Sequence, residues 1–185
     1  MRDLIHLLKY QQVRPAAAVL GRMLAETVVR VETTLPAGVM AVVPVPLHSQ
    51  KQAQRGFNQS GLIARAALKQ LARPERFQML ANALARCRET GSQIGLTRHQ
   101  RRENLRGAFA VIDPDQVLKR DILLVDDVFT TGTTASECAR VLRRAGATRV
   151  WVATVARTLK VSGVFAVPEQ GSGERADRLA AAANG

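Results

Sequence analysis

Apolar positions recur along this chain with two periods, one helical and one of strand length. Residues 3–10 predict a short helix, with Asp3 as N-cap and Leu4, Leu7 and Leu8 turned inward. Pro15 suits the first turn of a second helix, whose stripe is Val19, Leu20, Met23, Leu24, Thr27 and Val31. Residues 39–43 predict the first central strand, ended by Pro44 and Pro46. A basic, Gln-rich loop runs on to Gly56, and Asn58 then caps a helix to about Ala72 with Leu62, Ile63, Ala66 and Leu71 apolar. Residues 83–88 and 107–112 predict two further strands. The polar and basic stretch 89–106 between them, with Gly91 and Gly95, predicts a long, mobile loop with room for a helical turn. Residues 121–126 form another strand. The helix after it opens on the capping box Thr134-x-x-Glu137, buries Ala135, Cys138, Ala139 and Leu142, and stops at Gly146. Residues 148–156 are the last strand. Beyond Lys160 the composition turns to Gly, Ser, Ala and mixed charge, which predicts a disordered tail or a frayed helix. Alternating strands and helices predict an α/β class with a mainly parallel sheet.

The 185 residues suffice for one domain, and a 46% hydrophobic content is enough for a sizeable core. At 4% aromatic, that core must be filled by aliphatic side chains. Cys87 and Cys138 stand far apart in sequence and imply neither a disulfide scaffold nor a structural zinc site. No transmembrane run or secretory segment is visible, and the Leu-rich start carries His6 and Lys9. The expected home is a reducing cytoplasm, with no membrane partner.

The strongest chemical signal is the stretch from Ile122 to Thr134. Four apolar residues lead to Asp126 and Asp127, then to the loop Thr130-Thr131-Gly132-Thr133-Thr134 and a helix start. Gly132 lets the backbone turn sharply and lets a ligand approach it. Free N–H groups at a helix start, with Thr hydroxyls beside them, suit a phosphate. Ionised carboxylates accept hydrogen bonds from sugar hydroxyls. A phosphate cradle beside a diol clamp suits a ribose 5-phosphate. A P-loop hydrolase would need a Gly-Lys pair, which the sequence lacks. A receiver domain would carry its acid pair near the N-terminus.

This stretch resembles the phosphoribosyl-diphosphate (PRPP) motif of type I phosphoribosyltransferases. The resemblance narrows with Val43-Pro44-Val45-Pro46-Leu47-His48, Lys51 and Arg55-Gly56-Phe57-Asn58-Gln59. Thr90, Gln93, Leu96, Arg98, Arg101, Asn104 and Phe109 add to it, as does Leu8-Lys9-Tyr10. Together these residues resemble the ComF/GntX-like, competence-associated branch. The implied architecture is a type I phosphoribosyltransferase fold over residues 1–158, with 1–31 in a small helical hood and 159–185 as a tail. The implied reaction transfers ribose 5-phosphate from Mg²⁺-PRPP to a nitrogen acceptor and releases pyrophosphate. In that family the acid pair holds the ribose hydroxyls and the loop holds the 5′-phosphate. Asp126 and Asp127 inherit the first role, together with Mg²⁺ through water or the ribose diol; Thr130–Thr134 inherit the second. Pro44–Arg55 is the implied pyrophosphate loop, with Pro46, Leu47, His48, Lys51 and Arg55 as contacts. Arg88–Arg106 is the implied loop that closes over PRPP, with Arg88 on pyrophosphate and Arg98 catalytic. His48 reads more readily as a hydrogen-bonding scaffold residue. Members of the branch commonly carry a four-cysteine zinc module whose cysteines are absent here, so no zinc is expected. Thr130 stands where 6-oxopurine enzymes place an Asp base, and 89–106 lacks the Lys of orotate enzymes, which argues against both acceptors.

Charge adds a rival reading. The net charge is +12, and residues 51–106 hold twelve Lys/Arg against three Glu, so 12 − 3 = +9 of it lies there. Such a segment attracts polyanions: PRPP, or nucleic acid bound weakly and non-specifically. Arg73 and Arg76 read instead as ordinary surface charge. The rival is a non-enzymatic PRPP sensor that serves DNA uptake. The sequence does not fix the assembly, and a homodimer is one option.

Overall fold

A computed structural model describes residues 2–10, 15–90, 97–157 and 163–166. Its main sheet has five strands in the order β2-β1-β5-β6-β7. These are β1 (Met40–Pro44), β2 (Phe77–Met79), β5 (Asp121–Phe129), β6 (Arg149–Arg157) and β7 (Gly163–Ala166). The first four run parallel and β7 pairs antiparallel with β6. A two-stranded antiparallel ribbon of β3 (Leu84–Arg86) and β4 (Phe109–Val111) lies apart from it. The central strands are apolar on both faces, as parallel strands covered by helices must be; all of β1 is buried.

The two faces bury different layers. On one, α2 (Ala16–Arg30) and α4 (Gln59–Leu68) pack over Met40, Val42, Leu123, Val125, Ala153 and Val155, with α1 (Arg2–Tyr10) against α2. On the other, α6 (Thr133–Arg144) and the ribbon pack over Ala41, Val43, Ile122, Leu124, Val150 and Val152. Gly21 lets α2 meet α4 closely: a Cβ there would lie 2.4 Å from Ala66 Cβ and 2.8 Å from the Ala66 and Ala67 backbone. The N-terminal helices expected in a hood are thus one layer of the main core, although Val19 of the predicted stripe is exposed.

Several elements differ from the expectations. The loop expected up to Gly56 is largely a helix, α3 (Ser49–Arg55), ended by Gly56 at φ 72°. The loop expected over 89–106 contains α5 (Arg98–Leu105), closed by a capping box of Thr97 and Gln100. Its end is anchored, because Leu105 is fully buried. The rest of that expectation, 91–96, lies outside the described residues. α1 begins at Arg2, so Asp3 is inside it; α4 ends at Leu68, short of Ala72. The short β2 edge strand has no counterpart among the strands expected. The expected tail contains β7, which edges the sheet because Trp151–Thr154 of β6 offer it a free ladder; the other residues from 158 onward lie outside the described residues. The box expected at Thr134 and Glu137 does not form. Gly132 is the N-cap of α6, and Glu137 instead accepts from Gly107 N at 2.9 Å and pairs with Arg140 at 2.7 Å.

Candidate functional site

Chain direction creates a crevice at the carboxyl ends of β1 and β5. From β1 the chain crosses through α4 to β2 on one side; from β5 it crosses through α6 to β6 on the other. Parallel crossovers are right-handed, so opposite directions place α4 and α6 on opposite faces. The loops after β1 and β5 therefore diverge, and a ligand crevice opens between them. β1 and β5 pair until Pro44 and Val125, and Val45 N closes the ladder on Val125 O at 2.8 Å. Asp126 and Asp127 are the next residues. β5 itself runs on beside β6 to Phe129, so the acids stand where one neighbour leaves rather than at the strand end expected. Side-chain alternation also slips there. Val125 and Val128, an odd distance apart, pack into one core, while Leu124 and Phe129 pack into the other.

Asp127 is 5% exposed and Asp126 half-buried. Asp126 Oδ1 accepts from Asp127 N at 2.9 Å and from Ser60 Oγ at 3.3 Å. Across the sheet lies Thr154, fully buried, whose Oγ1 has no hydrogen-bond partner.

The turn after β5 is fixed by sterics. Gly132 has φ 72°, and a Cβ there would lie 2.5 Å from Phe129 Cζ. Helix geometry leaves the N–H groups of Thr133, Thr134 and Ala135 without intrahelical acceptors; the first bond of α6 is Ser136 N to Gly132 O at 2.8 Å. Thr131 Oγ1 and Thr133 Oγ1 share a hydrogen bond of 2.8 Å. Thr130 is exposed and Thr134 half-buried. N–H donors, hydroxyls and the positive end of a helix together make an anion seat.

The exit of β1 is fixed by hydrogen bonds. Asn58 Oδ1 accepts from Ser60 N and Gly61 N at 3.0 and 3.4 Å, capping α4. Its Nδ2 donates to Val45 O at 3.0 Å. Phe57 and Gln59 are buried, and Arg55 Nη1 donates to Gln59 Oε1 at 3.2 Å. The Arg-Gly-Phe-Asn-Gln block is thus a corner that turns α3 into α4 and delivers Ser60 to Asp126.

The chain as a whole is similar in sequence to curated proteins. DNA utilization protein YhgH of Escherichia coli K12 is 37% identical over 160 residues, which are 86% of this chain and 68% of that protein. Competence protein F of Haemophilus influenzae is 37% identical over 118 residues, 63% of this chain and 50% of that one. The chain belongs to the family of competence protein F and YhgH. It spans half to about two thirds of the length of these curated relatives. No family model matches it. Among solved structures it is similar to glutamine PRPP amidotransferase of B. subtilis, at 24% identity and a TM-score of 0.44, over 77% of this chain and 26% of that one.

The basic residues picked out for this family are unevenly placed. Pro46 is buried and Leu47 half-buried on the β1 exit, next to His48. His48 bridges to Arg86 through the backbone, and its buried Nδ1 has no hydrogen-bond partner, so no scaffold bond is made through that nitrogen. Lys51 is exposed on α3. Arg88, expected on pyrophosphate, is exposed and tied through one nitrogen to the α5 end. Its Nη2 donates to Asn104 O and Arg106 O, both at 2.9 Å, and holds the end of α5. Arg98 is the first residue of α5. Arg73 and Arg76, read as ordinary surface charge, both pair with Glu32, at 2.8 and 2.6 Å.

Two residues are missing from the sequence expectations. Ser60 is one, and its signal is the Asn58 cap, which sets the first turn of α4 at the crevice. Arg86 is the other. Its guanidinium lies 5.5 Å from the Phe109 ring centre, and Nη2 donates to the buried Thr90 Oγ1. Its buried Nε has no hydrogen-bond partner. Burial holds this guanidinium below the usual arginine range, while Asp126 and Glu89 act in the opposite sense. The signal is an arginine ending the apolar run Leu84-Ala85. Burial pushes the Cys138 thiol on α6 far up, as fits a small core residue. Among the described residues no three His, Cys, Asp or Glu side chains gather as a metal cluster, and no helix is long and apolar enough to cross a membrane.

Proposed function

We propose that this chain binds Mg²⁺-PRPP in the crevice between β1 and β5 and transfers ribose 5-phosphate to a nitrogen acceptor. The observation that carries the reading is the acid pair one step beyond the β1–β5 ladder, beside the Gly132 turn at the start of α6. The 5′-phosphate would sit on the N–H groups and hydroxyls from Thr130 to Thr134. Asp126 and Asp127 would accept from the ribose hydroxyls, with Ser60 holding Asp126 in place. As C1′ loses pyrophosphate it gains positive charge, which two fixed carboxylates stabilise. Pyrophosphate would leave toward the β1 exit, where Lys51 and Arg55 supply positive charge and Pro46, Leu47 and His48 shape the turn. Arg98 would keep the catalytic role that the family resemblance implies. Two carboxylates, with water and phosphate oxygens completing the shell, are a donor set that fits Mg²⁺. Bound there, the ion would supply Lewis-acid charge to the departing phosphates.

Calorimetry with Mg²⁺-PRPP tests this. Replacing both Asp126 and Asp127 with Asn should weaken binding about a hundredfold, the scale of two charged hydrogen bonds, with the fold intact. Unchanged affinity in the folded double variant overturns the assignment.

A second reading has its own support: Arg102 and Arg106 are exposed on and beside α5. The chain would then keep a PRPP pocket as a sensor and contact DNA with this face. The curated names of the relatives refer to competence and DNA utilization. Turnover with a panel of amines and bases separates the two, because a sensor binds PRPP and releases no pyrophosphate.

A further inference from the structure

Arg86 is half-buried, and its Nε fully so. Arginine is rarely buried without full pairing, because an unmet N–H of a desolvated cation costs more than an unmet neutral one. Here one Nη2 is held by Thr90 and the plane lies over Phe109, yet Nε is buried with no acceptor. The neighbouring residue across the backbone bridge, His48, repeats the pattern with a buried, unpartnered Nδ1. Two nitrogen-bearing side chains from different segments thus carry unmet polar atoms at one junction, the point where the β1 exit meets the ribbon. Asp126 and Glu89 are acids whose fields reach Arg86.

We infer that Arg86, with His48, forms the receptor for the pyrophosphate leaving group. This rests on the PRPP reading of the crevice and names a site within it. A guanidinium donates to two phosphate oxygens at once through its fork, which lysine cannot do. Thr90 and Phe109 hold the guanidinium plane from one edge and one face and so orient it. The energy that left Nε unmet in the free protein is recovered when a diphosphate oxygen arrives. Arg88, two residues on, is spent on the carbonyls of Asn104 and Arg106 and instead holds the α5 wall in position.

Arg86→Met keeps the aliphatic stem over Phe109 and removes the fork; Arg86→Lys keeps the charge and serves if the first variant fails to fold. Calorimetry would compare three ligands on each folded protein: Mg²⁺-PRPP, inorganic pyrophosphate with Mg²⁺, and ribose 5-phosphate. Both variants should lose affinity for PRPP and pyrophosphate by about tenfold or more, while ribose 5-phosphate changes less than about twofold. Equal loss for all three ligands would make Arg86 a scaffold residue and overturn the inference, as would unchanged pyrophosphate binding. If the unaltered protein binds neither PRPP nor ribose 5-phosphate, the PRPP reading itself fails. If it binds both and the variants match it, only the role of Arg86 fails.

Discussion

The two loops that bound the crevice are held by different forces. The turn after β5 is a steric solution. Gly132 takes a left-handed conformation over the Phe129 ring, and no side chain caps α6. The exit of β1 is a hydrogen-bonded solution, in which Asn58 caps α4 and ties it to Val45 O. A steric turn is set by adjacent residues and barely depends on the rest of the fold. A hydrogen-bonded corner needs its distant acceptor in place. The first therefore suits a rigid phosphate seat. The second suits a wall that must meet a ribbon arriving from elsewhere in the chain.

Gly132→Ala should break the contrast most severely. It forces an L residue to φ 72° and drives a methyl into Phe129. The expected cost is about 2–3 kcal/mol, combining left-handed strain with overpacking, read from urea unfolding. Adding Phe129→Leu should return the packing part and leave the backbone part. No recovery would mean that the ring does not shape the turn.

Asn58→Ala should cost about 2 kcal/mol, roughly one for the cap and one for the bond to Val45 O. Asn58→Asp keeps the cap and loses the Nδ2 donor, so it should recover about half. Full recovery would show that the corner is held by the cap alone and would erase the difference between the loops.

Glu137→Gln is the smallest of the three, about 1 kcal/mol at neutral pH, discounted for partial exposure. The hydrogen bond from Arg140, with further help from Gly107 N, holds the Glu137 carboxyl below its ordinary 4.5. A lowered folded value stabilises the protein above the unfolded value and loses that contribution as pH falls through the folded one. The gap between the two proteins should therefore shrink below about pH 4.5 and vanish once Glu137 is protonated in both states. A gap that does not shrink at all as pH falls below 4.5 would show that the contribution is not the carboxylate charge.

Glu137 also shows where a sequence motif misleads. Thr134-x-x-Glu137 has the letters of a capping box, yet the N-cap is Gly132, two residues earlier, and the glutamate serves the β4 approach. The sequence predicts loop at α3 and α5 for a related reason. Their sequences, Ser-Gln-Lys-Gln-Ala-Gln-Arg and Arg-His-Gln-Arg-Arg-Glu-Asn-Leu, carry almost no apolar stripe. Capping and one buried residue, Leu105, hold α5 in place of a stripe, and periodicity cannot report either.

By itself the sequence determined whatever neighbouring residues decide. The apolar runs and stripes named the class. The acid pair and the glycine turn sit within one continuous stretch, where backbone sterics act over a few residues. The family also followed from the sequence, since its blocks are contiguous. Only the tertiary structure decided which distant groups meet that stretch. Ser60 reaches Asp126 across a separation of 66 residues, because right-handed crossovers send α4 and α6 to opposite faces. The same chain path brings Arg86 of the ribbon against His48 and commits Arg88 to the end of α5. Charge along a chain is additive and can be counted, but the pairing of a charge depends on where the chain returns.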